Sequence, residues 1–223
     1  MDASDKITWH SDVLPRVTRK ALEHCAGDIW FKTAPWYLAG GTALALQVGH
    51  RKSFDLDFFT QEKEFNQQII ASHFPDDLWK TERIYPGTLF GELLGAKVSF
   101  ISYPFFHLKQ PMVRYENISV LTPRDIGVMK ILAMSQRGRK RDFVDLYWLC
   151  HHVEKLDWFM TQLKDQISDI AHDYHHIIKA LTYFDDAEKD NMPELNFRAD
   201  WRTIKKFFQD EAKNLAAELL GIK

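Results

Sequence analysis

The stretch WYLAGGTALALQVGHRKSFDLDFFT, residues 36–60, decides the fold of this chain. A short apolar run, typical of a strand, ends in Gly40 and Gly41, and the residues from Thr42 onward have the alanine and leucine content of a helix. Glycine lets the backbone approach a ligand closely, and the free N–H groups and positive dipole end of a helix favour a phosphate at its N-terminus. We therefore predict a phosphate cradle at Gly40 and Gly41, to which Thr42 adds a hydroxyl.

A second strand is predicted at residues 54–59, which are rich in phenylalanine and leucine. Asp55 and Asp57 lie two positions apart on it, so both carboxylates project from one face, roughly 6.6 Å apart. Two such carboxylates can hold a pair of Mg²⁺ ions about 3.5–4 Å apart, one activating an attacking oxygen and one stabilising a leaving pyrophosphate. The alternative is a strand with two exposed aspartates beside a simple turn. Like charges this close repel each other, and a bound cation is the simplest reason for the pair.

The segment GGTALALQVGHRKSFDLDFF, residues 40–59, resembles the first motif of the AbiEii/AbiGii toxin family of nucleotidyl transferases, within the polymerase-beta-like nucleotidyltransferase superfamily. The resemblance implies Mg²⁺-dependent transfer of a nucleotidyl group from an NTP to a hydroxyl of tRNA, another RNA or a protein. It also implies a toxin that is neutralised by an antitoxin partner. Arg51 and Ser53 lie inside this motif and are predicted to contact the nucleotide together with the glycines.

The expected third acid of the metal site is missing from its usual place. Many members of the superfamily carry a third metal-binding carboxylate on a later strand, but in the strand predicted at residues 97–103 the matching position is Ser99. Glu92 is the only acid nearby in the sequence. Three alternatives stay open: two carboxylates suffice together with triphosphate and water, an acid from elsewhere completes the site, or the second metal binds weakly.

The second candidate region is KILAMSQRGRKRDFVDLYWL, residues 130–149. Lys130 lies on the apolar ridge of a predicted helix, so its stem is packed and its ammonium reaches one fixed place. The segment is similar to the same family's second conserved region, a lysine followed by an RDFxDL helix. The resemblance implies that Lys130 contacts the nucleotide phosphates, and that Asp142 or Asp145 serves as general base or as the missing metal ligand.

A basic run separates Lys130 from these two aspartates. We predict that it lines the entrance for triphosphate or an RNA acceptor, through contacts that salt weakens, with Arg137 and Arg141 binding the nucleotide. Its four basic residues are Arg137, Arg139, Lys140 and Arg141. A structural interpretation is also available, in which the run is a solvated turn, Asp142 favours a helix N-terminus, and Asp145 pairs with Arg141.

Composition bounds the remaining possibilities. The chain has 223 residues, 45% of them hydrophobic, which is ample for a packed core. The net charge of −2 excludes nucleic-acid binding by overall basicity, so any such contact must come from a local patch. The two cysteines have no zinc-site spacing, and neither a signal peptide nor an apolar run of about 18 residues is visible, so we expect a cytoplasmic protein.

We predict an α+β protein with a nucleotidyltransferase-type mixed sheet flanked by helices, followed by a helical C-terminal region. Residues 1–121 would form the core, with a leading helix at residues 11–26 and a further strand at residues 84–91, and residues 122–223 would complete the active-site cleft. Two other functions stay open: a catalytically weak or inactive nucleotide- or RNA-binding module of the same fold, and a nucleotidyltransferase for a small-molecule acceptor.

Overall fold

The computed structural model describes residues 7–167 and 173–219. Within these residues a single mixed sheet has seven strands, in the spatial order third, fourth, fifth, second, first, seventh, sixth. In chain order the strands are β1 Tyr37–Ala39, β2 Leu56–Thr60, β3 Trp79–Tyr85, β4 Thr88–Leu93, β5 Ala96–Ser102, β6 Val113–Tyr115 and β7 Ile118–Val120. The pairs β2–β5 and β1–β7 are parallel, and the other pairs are antiparallel.

The described helices flank this sheet and form most of the chain after residue 122. They are α1 Arg16–Gly27, α2 Trp30–Thr33, α3 Gly40–Val48, α4 Gln67–His73, α5 Pro123–Gln136, α6 Lys140–His152, α7 Leu156–Gln166, α8 Tyr174–Leu181, α9 Asp185–Glu188 and α10 Trp201–Leu219, with a 3₁₀ turn at Ser11–Val13. The predicted fold class, a mixed sheet with helices and a helical C-terminal region, is confirmed. No described helix combines the length and apolar character needed to cross a membrane.

The central strand β2 has two chemically different faces because its side chains alternate. Leu56 and Phe58 are fully buried, and Phe58 stacks on Phe100 of β5 with ring centroids 5.3 Å apart. Phe31 of α2 closes this layer, 4.9 Å from Phe58. The apolar side of the strand therefore anchors it in the core, and Asp57 is left on the opposite side.

Helix α5 is largely buried, and it carries Lys130. The Thr122 side chain accepts a hydrogen bond from the backbone N–H of Asp125, and Pro123 occupies the first turn, which is a common arrangement at a helix start. Gly127 lets α7 approach closely, since a Cβ there would lie 2.2 Å from the Phe159 ring. The cap at Thr122 and the packing at Gly127 hold the helix in position. The Lys130 side chain therefore extends from a defined point of the backbone.

Several predicted boundaries were wrong. The strand predicted at residues 84–91 is the turn of a hairpin, because Gly87 adopts φ +69 between β3 and β4. The leading helix begins at Arg16, after Pro15, and α6 begins two residues before Asp142. Asp55 precedes β2 by one residue instead of lying within it.

Candidate active site

A cavity of about 400 Å³ opens between the sheet, the N-terminus of α3 and the helices α5 and α6. Of the twelve residues predicted to form the site, ten line this cavity: Gly40, Gly41, Thr42, Arg51, Ser53, Asp55, Asp57, Lys130, Arg137 and Arg141. The other two, Asp142 and Asp145, lie behind its wall. Folding therefore brings two stretches of sequence, about 75–100 residues apart, to one place.

The turn from β1 into α3 depends on its two glycines. Gly40 adopts φ +70, and a Cβ there would lie 3.3 Å from Oδ2 of Asp57. A Cβ on Gly41 would lie 2.3 Å from Nη2 of Arg51, which is a severe overlap. The residue before the helix, Ala39, has no side-chain cap to offer. The backbone can therefore pass close to Asp57 and Arg51, with the N-terminal end of α3 facing the cavity.

The hydroxyl of Thr42 is engaged inside the protein. It donates to the carbonyl oxygen of Asp55 and shares a hydrogen bond of 2.8 Å with the hydroxyl of Ser53, and only 1% of Thr42 is exposed. These bonds tie the segment before β2 to the first turn of α3. In this structure the Thr42 hydroxyl, which we expected to contact phosphate, instead holds Asp55 and Ser53 in position.

Asp57 lies on the floor of the cavity with Ser99 beside it. The two residues are paired in register between the parallel strands β2 and β5, and the Ser99 hydroxyl donates to Oδ1 of Asp57 at 2.5 Å. Burial raises the pKa of Asp57, the hydrogen bond from Ser99 opposes this shift, and the charge of Asp55 adds to it. Asp55 accepts a hydrogen bond of 3.1 Å from Nη1 of Arg141.

This pair of carboxylates fits a hard divalent cation. Oxygen ligands on two neighbouring residues are what Mg²⁺ uses together with phosphate and water, and an ionised Asp57 lacks a full counter-charge where it is buried. No group of three or more potential ligands occurs among the described residues. Glu92 lies outside the cavity lining, and the position in register with Ser99 on β4 is Phe90. Any metal here would therefore be held by two protein carboxylates.

Glu82 is a cavity-lining acid that the sequence analysis missed. It occupies the irregularity of β3, where the register with β4 shifts between Thr81 and Arg83, and it lines the same cavity. The sequence gives no signal for it, because a single glutamate in a polar strand is ordinary and the bulge appears only when the strands pair.

Behind the cavity wall lies a buried charge cluster centred on Asp145. Its carboxylate accepts two hydrogen bonds from Arg51, of 2.5 Å from Nε and 2.9 Å from Nη2, and one of 2.7 Å from Nε2 of His50. Nζ of Lys130 lies 2.6 Å from Asp145 and 2.8 Å from Asp142. Burial alone would raise the pKa of Asp145, but the charges of Arg51 and Lys130, together with hydrogen bonds from Arg51 and His50, hold it well below its usual range.

The cluster revises the expected roles of both α6 acids. Asp142 and Asp145 are both 0% exposed, and three-residue spacing on α6 turns both toward Lys130. The alternative pairing of Asp145 with Arg141 was wrong, because Arg141 reaches Asp55 instead. In this arrangement neither acid contacts the cavity as a general base or metal ligand, and both fix the ammonium of Lys130 at the cavity wall.

His50 is a second residue that sequence reasoning missed. Its side chain is hydrogen-bonded to Asp145, and only 2% of the residue is exposed. Burial lowers its pKa and outweighs the opposing effect of Asp145, so His50 is neutral near pH 7 and donates through Nε2. The only available signal was the adjacency of His50 to Arg51, which on its own indicates nothing about burial.

The basic run divides into two pairs. Arg137 and Arg141 line the cavity, as predicted. Arg139 instead binds Asp190 through two hydrogen bonds, of 2.8 Å from Nε and 2.5 Å from Nη2, and Nζ of Lys140 donates to the Asp190 carbonyl at 2.6 Å. The expectation that all four residues line the entrance was therefore wrong. Arg139 and Lys140 dock the start of α6 on the segment before α10.

A mixed sheet with a double glycine at a helix N-terminus and an Asp-x-Asp pair at the start of the neighbouring strand defines the nucleotidyltransferase class. Comparison with known families agrees: residues 30–81 and 94–218 match the family described as nucleotidyl transferase AbiEii toxin, type IV toxin–antitoxin system. The chain belongs to this family, and it is accordingly a nucleotidyltransferase. The family also implies an antitoxin partner and an NTP substrate.

Three relatives illustrate how far the similarity extends. An uncharacterised protein of Aquifex aeolicus (strain VF5), aq_aa25, is 35% identical over 184 residues, which are 80% of this chain and 86% of that protein. The crystal structure of a candidate nucleotidyltransferase from H. pylori is 19% identical with a TM-score of 0.52, covering 92% of this chain and 98% of that one. JHP933 from Helicobacter pylori is also 19% identical, with a TM-score of 0.50 over 92% and 99% of the chains. The two solved structures confirm the fold.

Proposed function

We propose that this protein moves a nucleotidyl group from an NTP to an acceptor hydroxyl with the aid of Mg²⁺, as the toxin of a cytoplasmic toxin–antitoxin pair. One observation carries the proposal. The carboxylate of Asp57, oriented by Ser99, lies against Gly40 at the N-terminus of α3 and beside Asp55, within one cavity. A phosphate-binding helix end and a cation-binding acid pair in contact with each other are what binding of a metal triphosphate requires.

The phosphates would bind along the α3 side of the cavity. Gly40 and Gly41, in the first turn of α3, line that side and would offer backbone N–H groups, and Arg137 and Arg141 add two guanidinium groups. Lys130 presents its ammonium at the wall, with 5% of the residue exposed. These groups would neutralise the β- and γ-phosphates and orient the α-phosphate.

The metal ligands would be Asp55 and Asp57, and bound Mg²⁺ would supply charge neutralisation of the reacting phosphates and polarisation of their oxygens. The acceptor oxygen attacks the α-phosphorus, a new P–O bond forms, and the bond to the β-phosphate oxygen breaks in line, releasing pyrophosphate. The acceptor proton passes to solvent. Asp145, Asp142 and His50 act as positioning residues through Lys130 and Arg51.

Label transfer tests this function. Purified protein is incubated with Mg²⁺, each α-labelled NTP in turn and total cellular RNA, and Asp55→Ala and Asp57→Asn are run beside it. Asp77→Ala is the matched control, because Asp77 is exposed and lies outside the cavity lining. Label in RNA or protein that disappears in the first two variants and persists in the control supports the proposal.

A catalytically inactive nucleotide- or RNA-binding module is the second candidate, and the serine at position 99 favours it. In that case no label moves with any NTP, although nucleotide binding by calorimetry is intact and is lost in Asp55→Ala. Turnover that does not need RNA or protein would indicate a small-molecule acceptor instead. Expression in a host cell separates these outcomes further, because only the active toxin would arrest growth in a way that Asp57→Asn abolishes.

A further inference from the structure

The cavity extends beyond the metal-binding acids onto an open part of the sheet. Across the sheet, Asp57 pairs with Ser99, Ser99 with Phe90, and Phe90 with Arg83. These four residues therefore form one row on the same face, running from the floor of the cavity to the edge strand β3. Phe90 lines the cavity. Nothing in the proposed binding of the NTP phosphates uses this half of the face.

Two exposed aromatic side chains occupy this half. Phe90 is 37% exposed and Tyr85 is 51% exposed, and their rings meet edge to face with centroids 6.3 Å apart. Tyr85 lies two residues after Arg83 on β3, so its side chain is on the same face, and it pairs with Thr88 of β4. Large apolar rings left open beside a transfer site are unusual in a protein whose other phenylalanines are mostly buried, and they offer flat surfaces for stacking.

Basic side chains flank the aromatic pair. Lys97 is exposed, lines the cavity and neighbours Ser99 on β5 by two positions, so it projects on the same face. Arg83 is exposed and lies directly across from Phe90. Glu82 also lines this part of the cavity and would repel a phosphate, so a phosphate chain would follow the Lys97 side. Aromatic rings between cations match bases alternating with phosphates.

The position of this surface also suits an acceptor. In the sheet order, β1 with its Gly40 turn lies on one side of β2, and β5, β4 and β3 lie on the other. If the leaving pyrophosphate is held at Gly40 and Gly41, in-line attack requires the acceptor oxygen to enter from the opposite side of the α-phosphorus. That side is the open half of the face.

We propose that Arg83, Tyr85, Phe90 and Lys97, here named the acceptor face, bind a single-stranded stretch of nucleic acid and deliver its terminal hydroxyl to the α-phosphate. Bases would stack on Phe90 and Tyr85, and Lys97 and Arg83 would contact phosphates. This assignment rests on the proposed function for the role of the hydroxyl, but the binding itself needs neither NTP nor metal.

The test is fluorescence anisotropy with a 12-nucleotide single-stranded RNA of mixed sequence carrying 5′-fluorescein, measured without NTP. Phe90→Ala and Tyr85→Ala are expected to weaken binding by about 5- to 100-fold each. Lys97→Gln is expected to reduce the slope of log affinity against log salt by about 0.7. Ile84→Ala is the matched control: Ile84 is on the same strand and 51% exposed, but it pairs with buried Leu89 and so faces away. It should stay within twofold of wild type.

Parallel measurements make the outcome decisive. NTP affinity by calorimetry should be unchanged in Phe90→Ala, and a blunt duplex of the same sequence should bind less tightly than the single strand. The assignment is overturned if the wild type does not bind the single strand, if Phe90→Ala and Ile84→Ala behave alike, or if Phe90→Ala weakens the NTP instead. Failure of label transfer with intact, Phe90-dependent RNA binding would overturn the proposed function and leave the acceptor face standing.

Discussion

Two pairs of aspartates in this protein have similar sequence spacing and opposite environments. Asp55 and Asp57 at β2 face a cavity, where Asp55 accepts a hydrogen bond from Arg141 and Asp57 accepts one from Ser99. Asp142 and Asp145 on α6 are fully buried and share Lys130. Asp145 is also bound by Arg51 and His50, and Asp142 lies 3.4 Å from Nε of Arg137. The pKa of Asp57 is raised by burial, whereas cations hold the pKa of Asp145 well below its usual range despite burial.

The difference lies in the positive charge around each pair. Asp57 lacks a full counter-charge, whereas Asp145 is already paired with Arg51 and Lys130. A carboxylate with incomplete counter-charge at an open cavity destabilises the free protein and gains stability when a metal ion binds. A carboxylate enclosed by fixed cations, as Asp145 is, stabilises the folded chain, and both of its oxygens are already bonded. Sequence spacing alone would place both pairs in the same class.

The largest expected effect follows from Asp57→Asn. Loss of a metal ligand should reduce label transfer by about 10³-fold, which corresponds to roughly 4 kcal/mol of transition-state stabilisation. The free energy of unfolding should stay equal or increase, because the raised pKa of Asp57 means that its ionised form opposes folding at pH 7. Urea denaturation with and without Mg²⁺ checks this. A marked loss of stability would place Asp57 in the same class as Asp145.

Asp145→Asn should behave in the opposite way. Removing this carboxylate leaves Arg51 and Lys130 buried without their shared counter-ion, and about 3–5 kcal/mol of stability should be lost. The urea midpoint measures it, with Asp77→Ala as the exposed control. If the Asp145→Asn protein is as stable as wild type, the cluster does not hold the fold as we describe.

Acidification should change the free energy of unfolding differently for the two pairs. Asp145 has a depressed pKa in the folded state, so its contribution is present above its ordinary pKa near 3.9 and is lost as pH falls through the lower folded value. Below about pH 4, wild type and Asp57→Asn should therefore lose stability in parallel, and Asp145→Asn should lose less. Urea midpoints at pH 7, 5, 4 and 3 give the comparison, and identical slopes in all three proteins would contradict it.

Gly41→Ala should disturb the buried cluster from the cavity side. The added Cβ overlaps Nη2 of Arg51 and would push the guanidinium from Asp145, at a cost of about 1–3 kcal/mol. Gly27→Ala is the matched control, since a Cβ there meets nothing within 4 Å. Thermal unfolding of the two variants measures the difference, which should vanish if Arg51 can move freely.

The smallest effect is expected from Ser99→Ala. It removes one hydrogen bond to Asp57, about 0.5–1.5 kcal/mol, so turnover should fall by roughly 2- to 10-fold without loss of fold. Ser99→Asp sharpens the result by introducing at position 99 the third acid that the superfamily resemblance led us to expect. Its label transfer at limiting Mg²⁺ should exceed that of Ser99→Ala if position 99 can supply a metal ligand, and equal turnover would argue against that.

Local patterns predicted the parts of the site that depend on neighbours in the chain. The strand, double glycine and helix around Gly40 and the placement of Asp57 opposite the apolar side of its strand both follow from local composition and backbone periodicity. The hairpin at Gly87 was missed because β3 is exposed at every residue after Trp79 and therefore gives little alternation, although β4 alternates. Glu82 and Phe90 reach the cavity only through strand pairing, which one sequence does not specify.

The sequence by itself determined the family, the fold class and ten of the cavity-lining residues, since these depend on short-range chemistry and motif spacing. Only the tertiary structure decided which charges are free and which are paired. It placed Arg51 and His50 on Asp145, directed Arg141 to Asp55, and removed Arg139 from the cavity. The physical reason is that a charge's partner is set by burial and distance across the fold, and neither quantity is encoded in the spacing of residues along the chain.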